Sequence, residues 1–495
     1  MDSVNKKLAS HGSIYLLGNI IRRAVSLVML PIYTRFLTPA DYGIIELLSM
    51  VIDFAGIILG LRIGQAIFRF YHEYDNINDR NEVISTSLYL ISILNILGIL
   101  LIVAFVRPIS YAVFGNYTSV KYLLLFSVTL LFQSMIEIPM LFLRAQQRPW
   151  LFVTFSSVKL ILQLSLNIYF IVIKNMHVEG VIYSALISGA IMSATLTIYT
   201  LSITGLKWSS KKAKELSSFS IPLVLTSIVA FYITFGDRYF LRIYHGLTEV
   251  GIYSLGYKFG FLLSFLVTAP FFNIWDSEKY NIYKKHNARE IYQKTFLLLS
   301  SAVIFVAVGI SVFVKDVLRI MSDQSFWSAY QVVPIILSAY FIDTLMPFTN
   351  LGILIKKKTI EITYGTLIGA TVVTLGYILL IPHYGAIGAA WSTALAFSAR
   401  CIWISWRSKR LYDMKLPWGK LVLLATMGLI AYICSMFSPD KLLVSFGFNL
   451  FILILFGLIF LILPILPPDI RHSIKGFVLK PWNLQRLIKG AARPN

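Results

Sequence analysis

The sequence predicts an all-α membrane protein with about fourteen transmembrane helices. Of its 495 residues, 57% are hydrophobic and 14% are charged, whereas soluble domains carry about 25% charged residues. The mean hydropathy is +0.75, which over this length indicates many membrane spans and excludes a soluble domain with a single anchor. The segments between the apolar blocks are too short to hold a folded extramembrane domain.

Each apolar block of about twenty residues is long enough for one helix to cross the bilayer. The fourteen blocks lie near residues 14–34, 42–66, 83–106, 121–143, 151–174, 180–202, 219–241, 250–273, 293–314, 329–354, 360–381, 385–406, 417–437 and 442–464. The polar N-terminus, 1–13, leads into the first block without a small-residue cleavage site. We therefore expect the first span itself to direct membrane insertion.

The basic residues predict the orientation of these spans. They give the chain a formal net charge of +21 and fall between the apolar blocks, as topology signals do, rather than forming a nucleic-acid surface. With residues 1–13 in the cytoplasm, 29 basic residues lie inside and about nine lie outside. This asymmetry predicts an inner-membrane protein with both termini in the cytoplasm.

Two segments of the chain repeat after just over two hundred residues, once at the outer turn before the second span and once before the sixth. The equivalent positions are Asp41 and Glu249, Gly43 and Gly251, and Gly180 and Gly385. Repeats that flank a central site are common in secondary transporters. The repeat predicts two six-helix lobes, 14–205 and 206–410, followed by two additional helices in 411–465 and a basic cytoplasmic tail, 466–495.

Charged residues inside the apolar blocks are the candidates for a functional site. A charge at mid-membrane costs about 3 kcal/mol on insertion scales unless it is paired or hydrated, so about ten such residues predict an enclosed polar cavity and hence transport. The cations that would bind an anionic cargo through charge-assisted hydrogen bonds are Arg22, Arg23, Lys159 and Lys258. The alternative is that they only pair with intramembrane acids and hold the bundle together.

The acidic candidates suit a proton- or cation-coupled cycle, because a buried carboxylate can take up a proton, unless they only pair structurally with the cations named above. They are Asp53, Glu137 and Asp343. Asp237 and Arg238 lie near the outer end of the predicted seventh span, where they form either a gate or a local pair. Arg62 and Arg400 lie near inner helix ends, where a long side chain is expected to reach the membrane surface.

The segment Pro31–Gly43 resembles the signature between the first two spans of the Wzx-type polysaccharide biosynthesis flippases. This family shares a superfamily with the multidrug (MATE) exporters and the lipid II flippase. Further similar segments lie at 65–71, 143–148, 237–241 and 249–258. The resemblance implies two helical bundles arranged in a V around a central, positively charged cavity. It also implies alternating access and export of an undecaprenyl-linked oligosaccharide for cell-surface polysaccharides such as O-antigen or exopolysaccharide.

Two other functions remain open. A cation-coupled multidrug exporter has the same fold, although cationic drugs need an acidic, aromatic pocket rather than many cations. A membrane polymerase or glycosyltransferase would be expected to carry a large outer loop with paired carboxylates or a DxD motif, and the sequence has neither. It also lacks a nucleotide-binding P-loop motif.

We therefore expect a transporter rather than an enzyme, without a cofactor or a resident metal. The expected partners are the lipid-linked oligosaccharide, membrane lipids, and a polysaccharide polymerase with its chain-length machinery. Nucleic acid is not an expected partner.

Overall fold

The computed structural model describes residues 28–463, which form a bundle of helices. Twelve helices in this range are long and apolar enough to cross a membrane. The prediction of an all-α, multi-pass membrane protein is therefore confirmed. The predicted first span, 14–34, overlaps the described residues only at its end, where residues 28–36 form helix α1.

The helices of the first half follow the predicted spans closely. After α1 come α2 (Pro39–Leu59), α3 (Ile63–Glu73), α4 (Ile77–Ala104), α5 (Val106–Phe114), α6 (Val120–Ser127), α7 (Thr129–Ala145), α8 (Pro149–Asn167) and α9 (His177–Thr204). The turn before α2 is a capping box: Thr38 Oγ1 accepts from the Asp41 N–H at 3.1 Å, and Asp41 Oδ2 accepts from the Thr38 N–H at 3.1 Å. Pro39, at the first helical position, costs no hydrogen bond there.

The helices of the second half include two that are bent at glycine. They are α10 (Ser210–Leu263), α11 (Ala269–Tyr283), α12 (Ala288–Met321), α13 (Val333–Thr344), α14 (Met346–Thr349), α15 (Leu351–Ile355), α16 (Ile360–Leu379), α17 (Ile381–Leu411), α18 (Trp418–Ser435) and α19 (Leu442–Ile462). Gly246, with φ of +83°, interrupts α10 between the predicted seventh and eighth spans. Gly385, with φ of +52°, interrupts α17. Glycine tolerates these left-handed conformations because it has no Cβ.

The helices form two compact units, each with its own core. The described part of the first unit is 28–255, 321–329 and 370–393, and that of the second unit is 256–320, 330–369 and 394–463. The core of the first unit includes Ile67, Ile84 and Phe142, which are fully buried between α3, α4 and α7. The second unit buries an aromatic cluster in which the ring centroids of Trp275 and Phe348 are 4.4 Å apart.

The duplicated outer turns contact each other within the first unit. A Cβ on Gly43 would lie 2.1 Å from the Leu247 carbonyl oxygen, and a Cβ on Gly251 would lie 1.9 Å from the Pro39 carbonyl oxygen. Only glycine permits this backbone-to-backbone approach. The contact is reciprocal, as in a two-fold arrangement, because Pro39 and Leu247 are equivalent positions just as the two glycines are. The sequence repeat thus has a direct counterpart in the packing.

The equivalent acidic residues of the two turns also have similar surroundings. Asp41 Oδ2 lies 3.6 Å from Nδ1 of His177, the first residue of α9. Glu249 Oε1 accepts a hydrogen bond from the Ala386 N–H at 3.1 Å, where α17 resumes after Gly385. A carboxylate near a helix N-terminus is stabilised by the unpaired N–H groups there.

Candidate functional site

A polar stripe on α7 separates two cavities of the first unit. Gln133, Glu137 and Arg144 lie on one face of this helix because residues three or four positions apart are neighbours on a helix surface. The cavity on one side contains Asp53 and is called the acidic cavity; the cavity on the other side contains Lys159 and is called the cationic cavity. The two cavities share Gln133 and Glu137 in their walls.

The acidic cavity has a volume of about 360 Å³. Its polar lining comprises Asp53, Arg62, Asn95, Gln133, Ser134 and Glu137. Phe231 and Phe235 of α10 form an aromatic wall. The side chains of Asp53 and Glu137 are exposed although both helices are of membrane length. Two carboxylates predicted from separate spans are therefore brought into one cavity.

The acidic cavity lies at a break in the predicted second span. The sequence predicted one continuous helix over 42–66, but the chain turns at Leu61 and Arg62, which have φ of +47° and +53°. The Nε of Arg62 donates to Ser227 Oγ at 2.7 Å, which holds the guanidinium at the cavity. Gly60 in the preceding position allows the tight turn, so α2 ends in the wall of the cavity.

Asn95 is the most constrained residue of the acidic cavity. Its Nδ2 donates to the Leu130 carbonyl oxygen at 3.0 Å and to Ser134 Oγ at 2.8 Å. The residue is 3% exposed, and its Oδ1 has no hydrogen-bond partner within residues 28–463. A buried acceptor without a donor costs free energy, and such groups are few in native structures. Asn95 therefore presents an acceptor that is suited to a ligand.

The cationic cavity is larger, with a volume of about 570 Å³. One wall is a single face of α8, on which every third or fourth residue is polar: Ser156, Lys159, Gln163 and Asn167. Asn167 Nδ2 donates to the Tyr33 hydroxyl at 3.0 Å. The Oδ1 of Asn167 and the Oγ of Ser156 are buried without a hydrogen-bond partner in the described part of the chain.

The two cations of this cavity lie at different depths in the membrane-length helices. Arg144 is at the end of α7, and its guanidinium carbon lies 5.3 Å from the centroid of the Phe68 ring. Lys159 lies ten residues into α8, about 15 Å along the helix axis at 1.5 Å per residue. The remainder of the lining is apolar and includes Phe152 and Phe155 of α8 itself and several leucine and methionine side chains. The cavity thus combines positive charge, neutral hydrogen-bonding groups and a hydrocarbon surface.

Asp237 and Arg238 form a buried local pair in α10. Arg238 Nη1 lies 2.8 Å from Asp237 Oδ1, and the Tyr253 hydroxyl donates to Asp237 Oδ2 at 2.5 Å. The two charged residues are 0% and 2% exposed. Each charge is therefore neutralised by its sequence neighbour, and neither lines the two cavities.

The remaining predicted site residues fall elsewhere. Lys258 and Asp343 belong to the second unit, where the Arg400 guanidinium acts electrostatically on the Asp343 carboxylate. Neither residue lines the acidic or the cationic cavity. Arg22 and Arg23 lie outside the described residues.

The sequence analysis selected charged residues and missed the neutral polar ones. Asn95, Gln133, Ser156, Gln163 and Asn167 all line the cavities without carrying a charge. The signal that could have identified those of α8 is their spacing with Lys159, which places a polar stripe on one face of an otherwise apolar span. Asn95 has no comparable pattern around it, so only the packing of α4 against α7 reveals it.

This arrangement of membrane-length helices around polar cavities is that of a multi-pass membrane transporter fold. The structure of the lipid II flippase MurJ in an inward closed conformation matches with a TM-score of 0.73 at 14% identity, over 90% of this chain and 98% of that one. An inward-facing multidrug resistance MATE family transporter of the MOP superfamily matches with a TM-score of 0.61 at 16% identity, over 79% and 95% of the two chains. An outward-facing multidrug resistance MATE family transporter of the MOP superfamily matches with a TM-score of 0.57 at 16% identity, over 83% of this chain and 96% of that one. At these identities the likeness shows a shared fold.

The family follows from the sequence itself. The model of the polysaccharide biosynthesis protein family matches residues 8–275, which is more than half of the chain. The chain therefore belongs to the polysaccharide biosynthesis protein family, as its signature segment indicated. No curated protein matches the sequence.

Proposed function

We propose that this protein is a flippase that moves lipid-linked oligosaccharide units across the cytoplasmic membrane during the synthesis of cell-surface polysaccharide. Membership of the polysaccharide biosynthesis family supports the pathway, and the fold shared with a lipid flippase supports the mode of action. The observation that carries the proposal is the cationic cavity, in which Arg144 and Lys159 lie within membrane-length helices.

The lining of the cationic cavity suits each part of such a cargo. Arg144 and Lys159 lower the cost of desolvating a pyrophosphate through charge-assisted hydrogen bonds. Ser156 Oγ and Asn167 Oδ1, which have no partner within the described range 28–463, offer a donor and an acceptor to sugar hydroxyls. The apolar part of the lining suits the adjoining hydrocarbon of the lipid carrier. In this proposal Arg22, Arg23 and Lys258 add further positive charge along the path.

The sequence lacks a nucleotide-binding motif, which leaves an ion gradient or the downstream consumption of the product as the energy source for net transport. In this proposal the source is an ion gradient. Asp53 takes up the coupling ion, so that the helices can close over the cavity without burying a bare charge. Glu137 assists it and Asp343 acts at a gate, whereas the Asp237–Arg238 pair stabilises α10 rather than gating. Alternating access then moves the lobes 14–205 and 206–410 against each other, with both termini in the cytoplasm.

The test is flipping by the purified protein in proteoliposomes. A fluorescent lipid-linked oligosaccharide is reconstituted with it, and the fraction that reaches the outer leaflet is measured with a membrane-impermeant quencher. Lys159→Met should slow flipping about tenfold or more, because a hydrogen bond to a charged group contributes about 1.5–3 kcal/mol. Lys174→Met, which removes an exposed lysine that lines neither cavity, should flip at the wild-type rate. Wild-type protein that flips no lipid-linked oligosaccharide would contradict the proposal.

One observation favours a second candidate, the multidrug exporter. The acidic cavity combines Asp53 and Glu137 with Phe231 and Phe235, which is the lining that attracts organic cations. Expression in a drug-sensitive host separates the candidates. Resistance to cationic dyes that is lost in Glu137→Gln, together with no flipping of lipid-linked oligosaccharide, would replace the flippase with the exporter.

A further inference from the structure

A third cavity lies in the second unit, where α17 ends and α18 begins. It has a volume of about 380 Å³, and all of its lining residues except Thr349 of α14 lie between 405 and 418. Both α17 and α18 are of membrane length, and only residues 412–417 separate them. The cavity therefore lies at one surface of the bilayer and is called the interfacial pocket.

The short loop that lines the interfacial pocket is held in place by α12. Gln293 Nε2 donates to the carbonyl oxygens of Met414 and Lys415, at 3.1 Å and 2.9 Å. Asp413 Oδ1 accepts from the Lys415 N–H at 2.9 Å. The loop thus has a defined conformation, as preformed ligand pockets do. Asp413 is the single carboxylate in the lining within residues 28–463, and one of its oxygens is bonded to the loop backbone.

Lys409 and Lys415 supply the positive charge of the interfacial pocket. Both side chains are exposed, and neither ammonium group makes an ion pair or a hydrogen bond in the part of the chain that the structure describes. In Lys279 of the same unit, by contrast, Nζ lies 2.6 Å from Asp276 Oδ1. The two pocket lysines can therefore donate charge-assisted hydrogen bonds to an anion that enters the pocket.

The surroundings of the pocket add further positive charge. From 405 to 420, the acidic Asp413 stands against the basic residues Arg407, Lys409, Arg410, Lys415 and Lys420. Arg407 is neutralised by its ion pair with Glu361. From α12, the guanidinium carbon of Arg289 lies 5.8 Å from the centroid of the Tyr412 ring, which lines the pocket. The local field therefore favours an anionic ligand.

Tryptophan side chains place the pocket at the level of the lipid headgroups. Trp406 and Trp418 line it and are exposed, and tryptophan is enriched where a membrane meets water. The guanidinium carbon of Arg410 lies 4.1 Å from the centroid of the Trp406 ring. One turn further from the end of α17, Ile402 is 69% exposed. Apolar helix surface thus adjoins the pocket, which suits a phosphate that carries hydrocarbon chains better than a free phosphate ion.

We propose that the interfacial pocket binds the headgroup of an anionic phospholipid. Lys409 and Lys415 donate to its phosphate, Trp406 and Trp418 pack at the level of the glycerol backbone, and the acyl chains follow α17 at Ile402. Basic pockets between transmembrane helices on the cytoplasmic side bind anionic lipid headgroups, and the charge asymmetry predicts that this end of α17 is cytoplasmic. The site is separate from the acidic and cationic cavities and does not depend on the proposed function.

Binding is measured by native mass spectrometry of the purified full-length protein, with phosphatidylglycerol as the anionic probe and phosphatidylcholine as the neutral one. We expect saturable binding of phosphatidylglycerol and weaker binding of phosphatidylcholine. Lys409→Gln and Lys415→Gln should each weaken phosphatidylglycerol binding about fivefold, because the attraction of about 1 kcal/mol per basic residue near a membrane surface corresponds to that factor. The double variant should lose at least about tenfold.

The matched control is Lys211→Gln/Lys214→Gln, which removes the same charge from two exposed lysines of the first unit. These lysines lie on the same predicted side of the membrane and line none of the three cavities. This variant should bind phosphatidylglycerol like the wild type. Lys409→Arg/Lys415→Arg keeps both charges and should retain binding, which separates loss of charge from misfolding of the loop.

Two results with the phospholipid probes would overturn the proposal. One is equal binding of phosphatidylglycerol and phosphatidylcholine by the wild type. The other is unchanged phosphatidylglycerol binding in Lys409→Gln/Lys415→Gln. An equal loss in Lys211→Gln/Lys214→Gln would show a general effect of charge and would overturn the assignment to this pocket as well.

Competition identifies the source of the phosphate. Inorganic phosphate and undecaprenyl pyrophosphate are each added at the same concentration as phosphatidylglycerol. Displacement of half or more of the phosphatidylglycerol by inorganic phosphate would assign the pocket to a soluble anion, and displacement by undecaprenyl pyrophosphate would assign it to an isoprenoid lipid. Either result would overturn the phospholipid site, whereas retention of phosphatidylglycerol against both competitors supports it.

Discussion

Charged residues within the membrane-length helices fall into two groups that differ in their surroundings. Asp237 and Arg238 are fully buried and form an ion pair with each other. Asp53, Glu137 and Lys159 instead line open cavities. A buried, desolvated ion pair mainly contributes to stability, whereas a charge in the lining of a cavity can also contact a ligand that enters it. The two groups therefore predict different phenotypes on substitution.

Arg238→Met should destabilise the protein strongly, because it leaves the Asp237 carboxylate buried without its cation. Removing one partner of a buried pair costs about 3–5 kcal/mol. The control is Lys121→Met, which removes one partner of the solvent-exposed pair with Glu179 and should change stability little. Apparent melting temperatures of the purified proteins measure this effect. Equal values for the two variants would show that the buried pair contributes no more to stability than the exposed pair does.

Asp53→Asn should slow transport and remove its dependence on an imposed ion gradient while leaving the melting temperature nearly unchanged. The reason is that Asp53 lines a cavity and makes no ion pair in the described residues, so the amide is tolerated but cannot exchange a charge. Flipping rates in proteoliposomes, with and without a sodium or proton gradient, measure the effect. A variant that still responds to the gradient as the wild type does would assign the coupling role to another carboxylate, with Glu137 and Asp343 next in line.

At the scale of helices, glycine decides where the chain bends and where helices meet. Gly246 and Gly385 have positive φ values and interrupt α10 and α17. Gly43 and Gly251 have helical conformations, and their role is steric, because a Cβ on either would enter the backbone of the other turn. A hydropathy reading locates the apolar blocks but cannot separate these two roles.

Gly43→Ala should therefore destabilise the contact between the duplicated turns. Its Cβ would lie 2.1 Å from the Leu247 carbonyl oxygen, a backbone atom that cannot rotate away, and overpacking of this kind costs about 1–3 kcal/mol. Gly447→Ala is the matched control: no atom lies within 4 Å of its Cβ position, and helix propensity favours alanine by about 1 kcal/mol. In thermal unfolding experiments, the melting temperature should fall for Gly43→Ala and not for Gly447→Ala. A Gly43→Ala protein as stable as Gly447→Ala would show that the two turns separate freely.

At the scale of the whole molecule, charge asymmetry predicts an orientation that the helices alone do not contain. A helix bundle without a bilayer has no inside and outside. The excess of basic residues in alternate loops, 29 against about nine, is the property that the insertion machinery reads. The cytoplasmic position of both termini therefore stays a prediction, as do the lobe boundaries near 205 and 410.

Cysteine labelling in intact cells measures this orientation. Cys401 and Cys434 are first replaced by serine, and a single cysteine is then introduced as Lys357→Cys or Asp440→Cys. The membrane-impermeant thiol reagent should label Asp440→Cys, because that residue is exposed at the predicted outer side. It should label Lys357→Cys only after the cells are permeabilised. The opposite labelling pattern would show that the predicted orientation is wrong and that both termini lie outside the cytoplasm.

The sequence by itself determined the class of the protein, most of its spans and its family. Hydrophobic length is a local property, since each helix satisfies its own backbone hydrogen bonds in the bilayer, and it can therefore be read from consecutive residues. Charged residues such as Asp53, Glu137 and Lys159 were visible for the same reason: their insertion cost depends on depth along one helix. The signature Pro31–Gly43 was likewise a run of neighbours in the chain.

The tertiary structure alone decided which of these residues share a cavity. Asp53 and Glu137 come from α2 and α7, and the distance between such residues depends on how helices pack rather than on their separation in the chain. The same holds for Asn95: Leu130 and Ser134 occupy its donor, and its Oδ1 has no hydrogen-bond partner among residues 28–463. A single neutral polar side chain such as Asn95 costs little to insert and has no polar pattern around it in the sequence. It becomes recognisable as part of a site only when the packing leaves its hydrogen bonds unfilled.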